Sequence, residues 1–410
     1  MADISTLTVR LHNTAIGTIT HVGGERSLFA FNDAYINDPN RATLSLSVKD
    51  TLGQLLTDFK PYRNKLMPFF SNLLPEGHLR QYLADTAHVH PEREFFLLWA
   101  LGRDLPGAIT ITAEDDQPWP EFSAAFDDNQ EAASALSKHA LRFSLAGVQL
   151  KFSAVMNAQG GLTIPTRGIG GHWIAKLPSR DFKHVPENEF SMMALAKMIG
   201  IDVPAIELVD LSAIHNLPEG VSQVGNKAFI IERFDRTDDG HKLHIEDFAQ
   251  VFGVYPQAKY EKASYRNLAQ VIAAESGDDD IAEFIRRATF NVLIGNGDMH
   301  LKNWSLIYRD QRHAELSPAY DFVSTIAYIP DDNSALKFSR SKAFSDYNAD
   351  ELEHLAAKAA LPRQLIMDTA KETVALFMQR WATEKHHLPM DQEIMIAIDK
   401  HLQTLPILKV

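Results

Sequence analysis

The polar side chains that could do chemistry are densest in one short segment, residues 294–305, which reads IGNGDMHLKNWS. Asp298 and Asn303 stand five positions apart in it, and Gly295 and Gly297 come just before them, after an apolar run. Glycines let a backbone turn tightly and let other groups approach it closely. The pattern predicts a loop that holds a carboxylate in a fixed position.

Phosphoryl transfer is a chemistry that suits these residue types. It needs a carboxylate near the acceptor hydroxyl, oxygen ligands for Mg²⁺, and a cation and backbone amides around the phosphates. An aspartate followed five residues later by an asparagine has the spacing of the protein-kinase catalytic loop, which would make Asp298 the proton acceptor and Asn303 a metal ligand. Asp321, in PAYDFVS eighteen residues after Asn303, follows a strand-like segment and would be a second ligand. Such hard oxygen donors suit Mg²⁺.

A cation for the phosphates is found upstream. Lys176 stands in the apolar, strand-like segment HWIAKLP, where a charge needs a partner. Phosphate oxygens could supply that partner, and Glu189, thirteen residues later at the start of a helical segment, could hold the lysine in place. The phosphate-facing loop would be 145–151 (LAGVQLK), where Ala146 and Gly147 leave room for backbone amides. This signal is weak, because neither GxGxxG nor GxxxxGK[ST] occurs.

Simpler interpretations of the same residues remain open. An Asp–Asn pair at this spacing also caps helices and stabilises loops, and His300 is expected to be a hydrogen-bonded loop histidine rather than a metal ligand. The string DDGHKLHIEDF at 238–248 is interpreted as a turn that leads into a helix, and His386 and His387 as solvated surface. The order of these features along the chain favours phosphoryl transfer. A two-lobed kinase requires the same order: phosphate loop, lysine, glutamate, hinge-like strand, base, asparagine and second aspartate.

The segments that would position these groups change in pattern along the chain. Residues 7–47 alternate apolar and polar residues between turn formers, and residues 69–112 take helical spacing before a final extended segment. A β-rich stretch with a helix at 188–199 follows, and the remainder is mostly helical. The predicted fold class is α+β, a two-lobed, protein-kinase-like arrangement with an extra N-terminal unit and a ligand cleft between the lobes. The predicted division is 1–112 for the N-terminal unit, 113–139 for an acidic linker, 140–246 for the β-rich lobe and 247–410 for the helical lobe.

Composition argues against several classes of protein. A chain of 410 residues, 45% hydrophobic and 23% charged, is ordinary for a globular protein and long enough for two or three packed units. A net charge of −13 argues against unaided binding along nucleic acid or an anionic membrane. The absence of cysteine excludes disulfides, thiolate nucleophiles and Cys-ligated zinc. The first residues lack a signal-peptide pattern and no apolar run approaches the length of a membrane span, so the cytoplasm is the expected location.

Seven segments occur in one order along the chain: RFSLAGVQLK, HWIAKLP, ENEF, IIERFDR, IEDFAQVFG, GNGDMHLKN and LSPAYD. Together they resemble the HipA family of toxin kinases, which are the serine/threonine kinases of bacterial toxin–antitoxin pairs. The resemblance covers about residues 140–325, and NLLPEG at 72–77 resembles the extra N-terminal subdomain of full-length members. The C-terminal helices match only in general character.

The resemblance implies a role for each residue of the site. Asp298 would accept the proton of the acceptor hydroxyl, and Lys176 would bind ATP. Asn303 and Asp321 would bind Mg²⁺. Ser144 occupies the position that family members autophosphorylate, where a phosphate would repel those of ATP and switch the enzyme off. The residues implied to contact the nucleotide are Ala146, Gly147, Val148, Gln149, Leu150, Lys151, Lys176, the hinge residues Glu232, Arg233 and Phe234, and then His300, Leu301, Lys302, Asn303 and Asp321.

The resemblance also implies partners. The best-known members phosphorylate glutamyl-tRNA synthetase and are neutralised by a small HipB-type helix-turn-helix antitoxin that dimerises on operator DNA. The acidic charge of this chain fits a complex in which the antitoxin makes the DNA contacts. The favoured interpretation is an ATP- and Mg²⁺-dependent protein serine/threonine kinase toxin that inactivates itself at Ser144. Two alternatives stay open, a small-molecule phosphotransferase of similar fold and a catalytically silent module that augments repression by an antitoxin.

Overall fold

The structure is a computed structural model that describes residues 6–86, 89–114, 151–156, 162–163, 171–215, 217 and 224–409. These residues contain three hydrophobic cores, one in the N-terminal unit, one on one face of the β-rich lobe, and the largest beneath the helical lobe. Every helix in the described part of the chain is too short or too polar to cross a membrane.

The N-terminal unit, within residues 6–114, is an antiparallel sheet covered by helices. Its strands are β1 (Thr6–Leu11), β2 (Thr14–Val22), β3 (Arg26–Phe31), β4 (Tyr62–Arg63) and β5 (Ile109–Ala113). Its helices are α1 (Asp33–Asn37), α2 (Pro68–Ser71), α3 (Gly77–Thr86) and α4 (Glu94–Leu101). The strand order is β4-β3-β2-β1-β5. Burial alternates along β1 and β5, so one face of the sheet enters the core, as the sequence pattern predicts.

Among the described residues, the β-rich lobe is a six-stranded sheet with one helix packed on it. Its strands are β6 (Lys151–Met156), β7 (Leu162–Thr163), β8 (Trp173–Lys176), β9 (Ile206–Asp210), β10 (Ile214–His215) and β11 (Lys227–Glu232). They lie in the order β10-β7-β6-β8-β11-β9. Helix α5 (Val185–Met198) packs on β9 and β11, where Phe229 and Ile231 belong to the same core as the helix. Strand β8 is therefore central in the sheet, between β6 and β11.

The helical lobe combines six helices with a small antiparallel sheet. The helices are α6 (Phe248–Val251), α7 (Tyr265–Glu275), α8 (Asp278–Leu293), α9 (Ala349–Ala359), α10 (Arg363–Glu384) and α11 (Gln392–Leu402). The sheet has the order β12-β13-β14, with β12 (His244–Asp247), β13 (Ser305–Tyr308) and β14 (Glu315–Leu316). Three aspartates in the first turn of α8 complement its dipole. Helix α8 leads directly into residues 294–303, the site loop.

The N-terminal unit meets the helical lobe through buried polar contacts. The carboxylate of Glu246 in β12 accepts hydrogen bonds from the Ser45 hydroxyl (2.5 Å), the Leu46 N–H (3.0 Å) and the Tyr308 phenol. His244 donates from Nε2 to a backbone carbonyl of the N-terminal unit at 2.7 Å. Burial raises the pKa of Glu246 to about 7 and lowers the pKa of His244 to about 4. Both groups are therefore held in a dry environment by the contact between the units.

The sequence predictions for the fold have mixed outcomes. The α+β class is confirmed, and so is a helix at 188–199, which begins slightly earlier, at Val185. The interpretation of 238–248 as a turn followed by a helix is wrong in part, because residues 244–247 form β12 before α6 begins. The predicted boundary at 246 falls inside that strand. The predicted linker 113–139 lies outside the described residues from 115 onward.

Candidate active site

Two glycines shape the site loop. Gly295 has a φ of +62°, and a Cβ added to it would lie 2.6 Å from the Ile326 side chain. A Cβ added to Gly297 would overlap the carboxylate of Asp332. Both positions require glycine, in agreement with the close approach predicted for this segment.

Asn296 braces the loop from inside. Its buried side-chain amide donates to Oδ1 of Asn291 in α8 at 2.7 Å, and its own Oδ1 accepts the Asp298 N–H at 3.0 Å. These bonds connect the end of a rigid helix to the backbone of Asp298. The Asp298 side chain itself is exposed.

Asp298 and Asn303 are joined across the loop. The side-chain amide of Asn303 donates to the Asp298 carbonyl at 2.9 Å, and the His300 N–H donates to the same carbonyl at 2.8 Å. The five-residue spacing thus has a structural basis. The Tyr260 phenol donates to Oδ1 of Asp298 at 2.7 Å. Within the described residues, the other oxygen of this carboxylate has no hydrogen-bond partner.

Lys176, the last residue of β8, lies between two carboxylates. It forms ion pairs with Glu189 of α5 and with Asp321 in the segment after β14. The relative exposures of Lys176 and Glu189 are 4% and 3%, so water contributes little to their solvation. Buried charges persist only when they are paired. The fold therefore brings together three residues that lie 13 and 145 positions apart in the sequence.

Opposite charges outweigh burial for two members of this cluster. Burial alone would lower the pKa of Lys176, but Asp321 and Glu189 raise it above its ordinary value. Burial would likewise raise the pKa of Asp321, but Lys151 and Lys176 hold it well below its usual range. The pKa of Glu189 is raised by burial and by Asp321. Lys176 and Asp321 are accordingly both ionised at neutral pH, and Glu189 is the member most readily protonated.

The backbone of Asp321 is in the left-handed region, with a φ of +58°. Few residues other than glycine adopt it, and such conformations concentrate at functional sites. The side-chain amide of Asn296 donates to the Asp321 carbonyl at 3.4 Å, and Nζ of Lys151 lies 3.3 Å from a carboxylate oxygen. Lys151 is the described end of the predicted phosphate loop. The predicted loop residues Ala146, Gly147, Val148, Gln149 and Leu150 lie outside the described part of the chain, and so does Ser144, which comes just before the loop.

The predicted hinge, residues 232–234, follows directly from the sheet. Glu232 ends β11, and its N–H donates to a backbone carbonyl just before β9. The guanidinium of Arg233 lies 3.5 Å from the carboxylate of Asp104 in the N-terminal unit, so this side chain contacts that unit. The Phe234 ring lies 5.7 Å from the ring of Tyr320, the residue before Asp321. The Phe234 side chain therefore lies beside the segment that carries Asp321.

The side chains of site-loop residues 300–302 have different surroundings. Lys302 donates to the Asn72 carbonyl at 2.7 Å and lies 3.3 Å from the Asp247 carboxylate. Leu301 is fully buried in the core of the helical lobe. The side chains of Leu301 and Lys302 are thus committed elsewhere, and only their backbone can line a nucleotide. His300 is buried, which lowers its pKa to about 4, and its Nδ1 has no hydrogen-bond partner within the described residues.

Two side chains could hold a magnesium ion through oxygen. Asn303 donates through its amide nitrogen, which leaves Oδ1 without a hydrogen-bond partner among the described residues, and Asp321 offers a carboxylate. No cluster of three or more His, Asp or Glu side chains suited to a metal occurs in the described ranges. Mg²⁺ often takes one or two protein oxygens and completes its shell with phosphates and water. Each of the two side chains therefore offers oxygen of the kind that suits Mg²⁺.

The sequence did not reveal two contacts of the site loop. Tyr260 lies 38 positions before Asp298, to which it donates a hydrogen bond. Asn72 lies 230 positions before Lys302. Neither pair has a spacing that a periodic element would produce, so no local pattern could have indicated them.

The fold and the site together define a class of protein. A sheet with a buried lysine–glutamate pair, followed by a helical lobe with an Asp–Asn loop and a second aspartate, is the arrangement of the two-lobed, kinase-like proteins. Comparison with known families is more specific. Residues 7–112 match the HipA N-terminal domain, and residues 143–381 match the HipA-like C-terminal domain. The chain belongs to the HipA family, as the seven sequence segments predict.

Individual relatives agree with this assignment. Y4dM of Sinorhizobium fredii, which is provisionally named a kinase, is 54% identical to this chain over 408 residues. The alignment covers 99% of this chain and 98% of Y4dM. The serine/threonine-protein kinase toxin HipA of Shewanella oneidensis is 28% identical over 362 residues, or 80% of this chain and 77% of that protein. Among solved structures, this chain superposes on a chain from the complex of Shewanella oneidensis HipA, HipB and operator DNA, with a TM-score of 0.73 and 22% identity. The superposition covers 98% of this chain and 96% of that chain. The two-lobed fold is thereby confirmed.

Proposed function

We propose that this protein is an ATP- and Mg²⁺-dependent serine/threonine protein kinase that acts as the toxin of a toxin–antitoxin pair. The observation that carries the proposal is the cluster that buried Lys176 and Glu189 form with Asp321. A lysine at the centre of a sheet, held by a helix glutamate beside a metal-binding aspartate, is how kinases hold ATP phosphates. The kinase names of Y4dM and of the Shewanella toxin support the same activity.

Nucleotide binding would rearrange this cluster. The phosphates would replace Asp321 as the partner of Lys176, while Glu189 keeps the ammonium in place. Asp321 would then be free, together with Asn303, to hold Mg²⁺. The ion supplies positive charge that neutralises the phosphate oxygens during transfer. Because Lys176 and Asp321 are both ionised, this exchange needs no proton uptake or release at either residue.

Asp298 would act on the acceptor. The acceptor serine gives its hydroxyl proton to the free carboxylate oxygen of Asp298, and the serine oxygen forms a bond to the γ-phosphorus. The bond from this phosphorus to the bridging oxygen breaks, and ADP leaves with that oxygen. The exposure of the Asp298 side chain supports a protein acceptor, because a serine on another folded chain has to reach the base from outside.

The proposal extends to regulation and partners. Ser144 would be the site of self-inactivation, and a small HipB-like helix-turn-helix protein would be the antitoxin, which carries the complex to operator DNA. The composition of the Shewanella complex and the net charge of −13 support this division of roles. The substrate class is a cytoplasmic protein of translation, with an aminoacyl-tRNA synthetase as the first candidate to assay.

Labelling with γ-³²P-ATP tests the proposal. Purified protein, Mg²⁺ and a cell lysate are expected to give label on Ser144 and on a lysate protein, and Asp298→Asn should abolish both. Asp331→Asn, at an exposed carboxylate of the same lobe, is the matched control and should label normally.

Each alternative gives a different result. Label that persists in Asp298→Asn would show that the base is another residue. A labelled metabolite without any labelled protein would identify a small-molecule phosphotransferase. Tighter operator binding by the antitoxin in the absence of any transfer would identify a silent co-repressor.

A further inference from the structure

The hydroxyl of Tyr260 lies on the candidate base. Tyr260 belongs to the turn between the short 3-10 helix Pro256–Ala258 and α7, and 38% of its surface is exposed. Its phenol donates to Oδ1 of Asp298 at 2.7 Å. None of the proposed steps uses this residue, although it is the one described side chain that hydrogen-bonds to the Asp298 carboxylate.

The turn that carries this phenol is anchored on several sides. Nζ of Lys342 donates to the Tyr260 carbonyl at 3.0 Å, and the Leu301 N–H donates to the Lys259 carbonyl at 3.3 Å. The Lys259 ammonium pairs with Glu76 of the N-terminal unit at 2.8 Å. Contacts with the site loop, with Lys342 and with the N-terminal unit hold the turn, so the fold sets the position of the phenol.

The ring of Tyr260 is also held. It packs edge-on against the His300 ring, with 5.0 Å between centroids and an interplanar angle of 86°. Burial keeps His300 neutral by lowering its pKa to about 4, so the His300 ring does not compete with Tyr260 as a charged donor to the carboxylate. Burial and Asp298 raise the pKa of Tyr260 well above its ordinary value, so its hydroxyl remains a donor.

The hydrogen bond matters because Asp298 is exposed. An exposed carboxylate ordinarily samples several rotamers, and each rotamer turns its oxygens in a different direction. With Oδ1 held by the phenol, the second oxygen has one direction in which to accept a proton.

We infer that Tyr260 is a positioning residue, which holds the Asp298 carboxylate so that its free oxygen faces the acceptor hydroxyl. The inference rests on the proposed function, because it takes Asp298 as the base. A different role, in which the phenol blocks the acceptor position and must leave before catalysis, is disfavoured by the anchored turn and by the carboxylate oxygen that remains free.

Tyr260→Phe tests the inference, since it removes one oxygen and keeps the ring against His300. Tyr255→Phe is the matched control, because the Tyr255 phenol donates to a backbone carbonyl at 3.0 Å and not to Asp298. Three quantities are measured on the full chain: kcat for protein labelling, the KM for ATP, and the Kd of a fluorescent ATP analogue. Tyr260→Phe should lower kcat by about 10- to 100-fold while the KM and Kd stay within about twofold.

The split between kcat and nucleotide binding separates positioning from a general loss of structure. Without the phenol the Asp298 carboxylate loses the hydrogen bond that fixes its direction, so kcat should fall while the KM for ATP and the melting temperature stay close to wild type. Tyr255→Phe should leave kcat unchanged. A merely structural defect would lower kcat, nucleotide affinity and the melting temperature together.

Several results would overturn the inference. An unchanged kcat in Tyr260→Phe would show that the hydrogen bond is dispensable, and an increased kcat would identify a blocking role. A kcat loss with an equal loss of nucleotide affinity, or with a lowered melting temperature, would identify a structural role. If the wild type itself transfers no phosphate to protein, the proposed function fails. If the wild type transfers phosphate normally and one of these results is found, only the role of Tyr260 is refuted.

Discussion

Replacing Glu246 by glutamine should change how the stability of this protein depends on pH. Glu246 is fully buried where the N-terminal unit meets the helical lobe, and burial raises its pKa to about 7 from an ordinary value of 4.5. The folded protein thus binds a proton at this carboxyl more tightly than the unfolded chain does. The stabilising contribution of that proton is complete below about pH 4.5 and is lost as the pH rises through about 7.

The size of the effect follows from the two pKa values. At about 1.4 kcal/mol for each pH unit, the difference between 4.5 and about 7 amounts to about 3 kcal/mol. Most of this, about 2.5 kcal/mol, falls between about pH 5 and pH 8. Glutamine has the same shape, and its carbonyl can still accept from the Leu46 N–H and the Tyr308 phenol while its amide donates to the Ser45 hydroxyl. It lacks the titration, so this part of the pH dependence should vanish.

The assay is urea unfolding, followed by tryptophan fluorescence, of wild type and Glu246→Gln across this pH range. The difference between the two free energies of unfolding cancels the titration of all other groups. The variant should gain about 2 to 3 kcal/mol relative to wild type between about pH 5 and pH 8. Glu315→Gln, at an exposed carboxylate of β14, is the matched control and should not reproduce this gain. Parallel curves for wild type and Glu246→Gln would refute the argument that docking of the N-terminal unit buries this carboxyl.

Three further substitutions have defined outcomes. Glu189→Gln weakens the hold on Lys176 and should raise the Kd of a fluorescent ATP analogue by about tenfold. Gly297→Ala forces a methyl group against Asp332 and should lower the free energy of unfolding by about 1–3 kcal/mol, measured by calorimetric melting. Lys302→Met removes the ammonium that binds the Asn72 carbonyl, so limited proteolysis between the N-terminal unit and the helical lobe should become faster.

Matched controls belong to each of these substitutions. Glu187→Gln lies on the same helix as Glu189 and should leave nucleotide affinity unchanged. A Cβ on Gly277 meets open space, so Gly277→Ala should melt close to wild type. Lys400→Met, at an exposed lysine of α11, should be cleaved as slowly as wild type. An equal effect of a substitution and its control would contradict the contact on which that prediction depends.

Much of the candidate site follows from short-range rules. The spacing of Asp298 and Asn303 corresponds to one hydrogen bond across a loop, so the pattern reports a real local constraint. Lys176 in an apolar strand needs a partner on energetic grounds, and the next helix of the chain provides Glu189. The helix at 188–199 and the glycine-rich turn are likewise consequences of periodicity and backbone freedom.

The contacts that the sequence did not reveal join distant parts of the chain. Residues 244–247 form a strand because β13 pairs with them and the N-terminal unit covers them, with Ile245 facing Ile307 across the pair. The string DDGHKLHIEDF contains no alternation strong enough to indicate this by itself. The attachment of Lys302 to the N-terminal unit and of Tyr260 to the site loop are also tertiary outcomes, which local propensity does not determine.

The link between Lys302 and Asn72 also has a consequence for synthesis on the ribosome. Asn72 is made 230 residues before Lys302. At about 5–20 residues per second, roughly 10 to 50 seconds separate the two residues, and the N-terminal unit can fold in that interval. A chain that stops early contains Asn72 but lacks the site loop. A chain that starts at an internal codon contains the site loop but lacks Asn72. Only chains that extend past residue 302 combine both, so this link between the N-terminal unit and the helical lobe forms late in each round of translation.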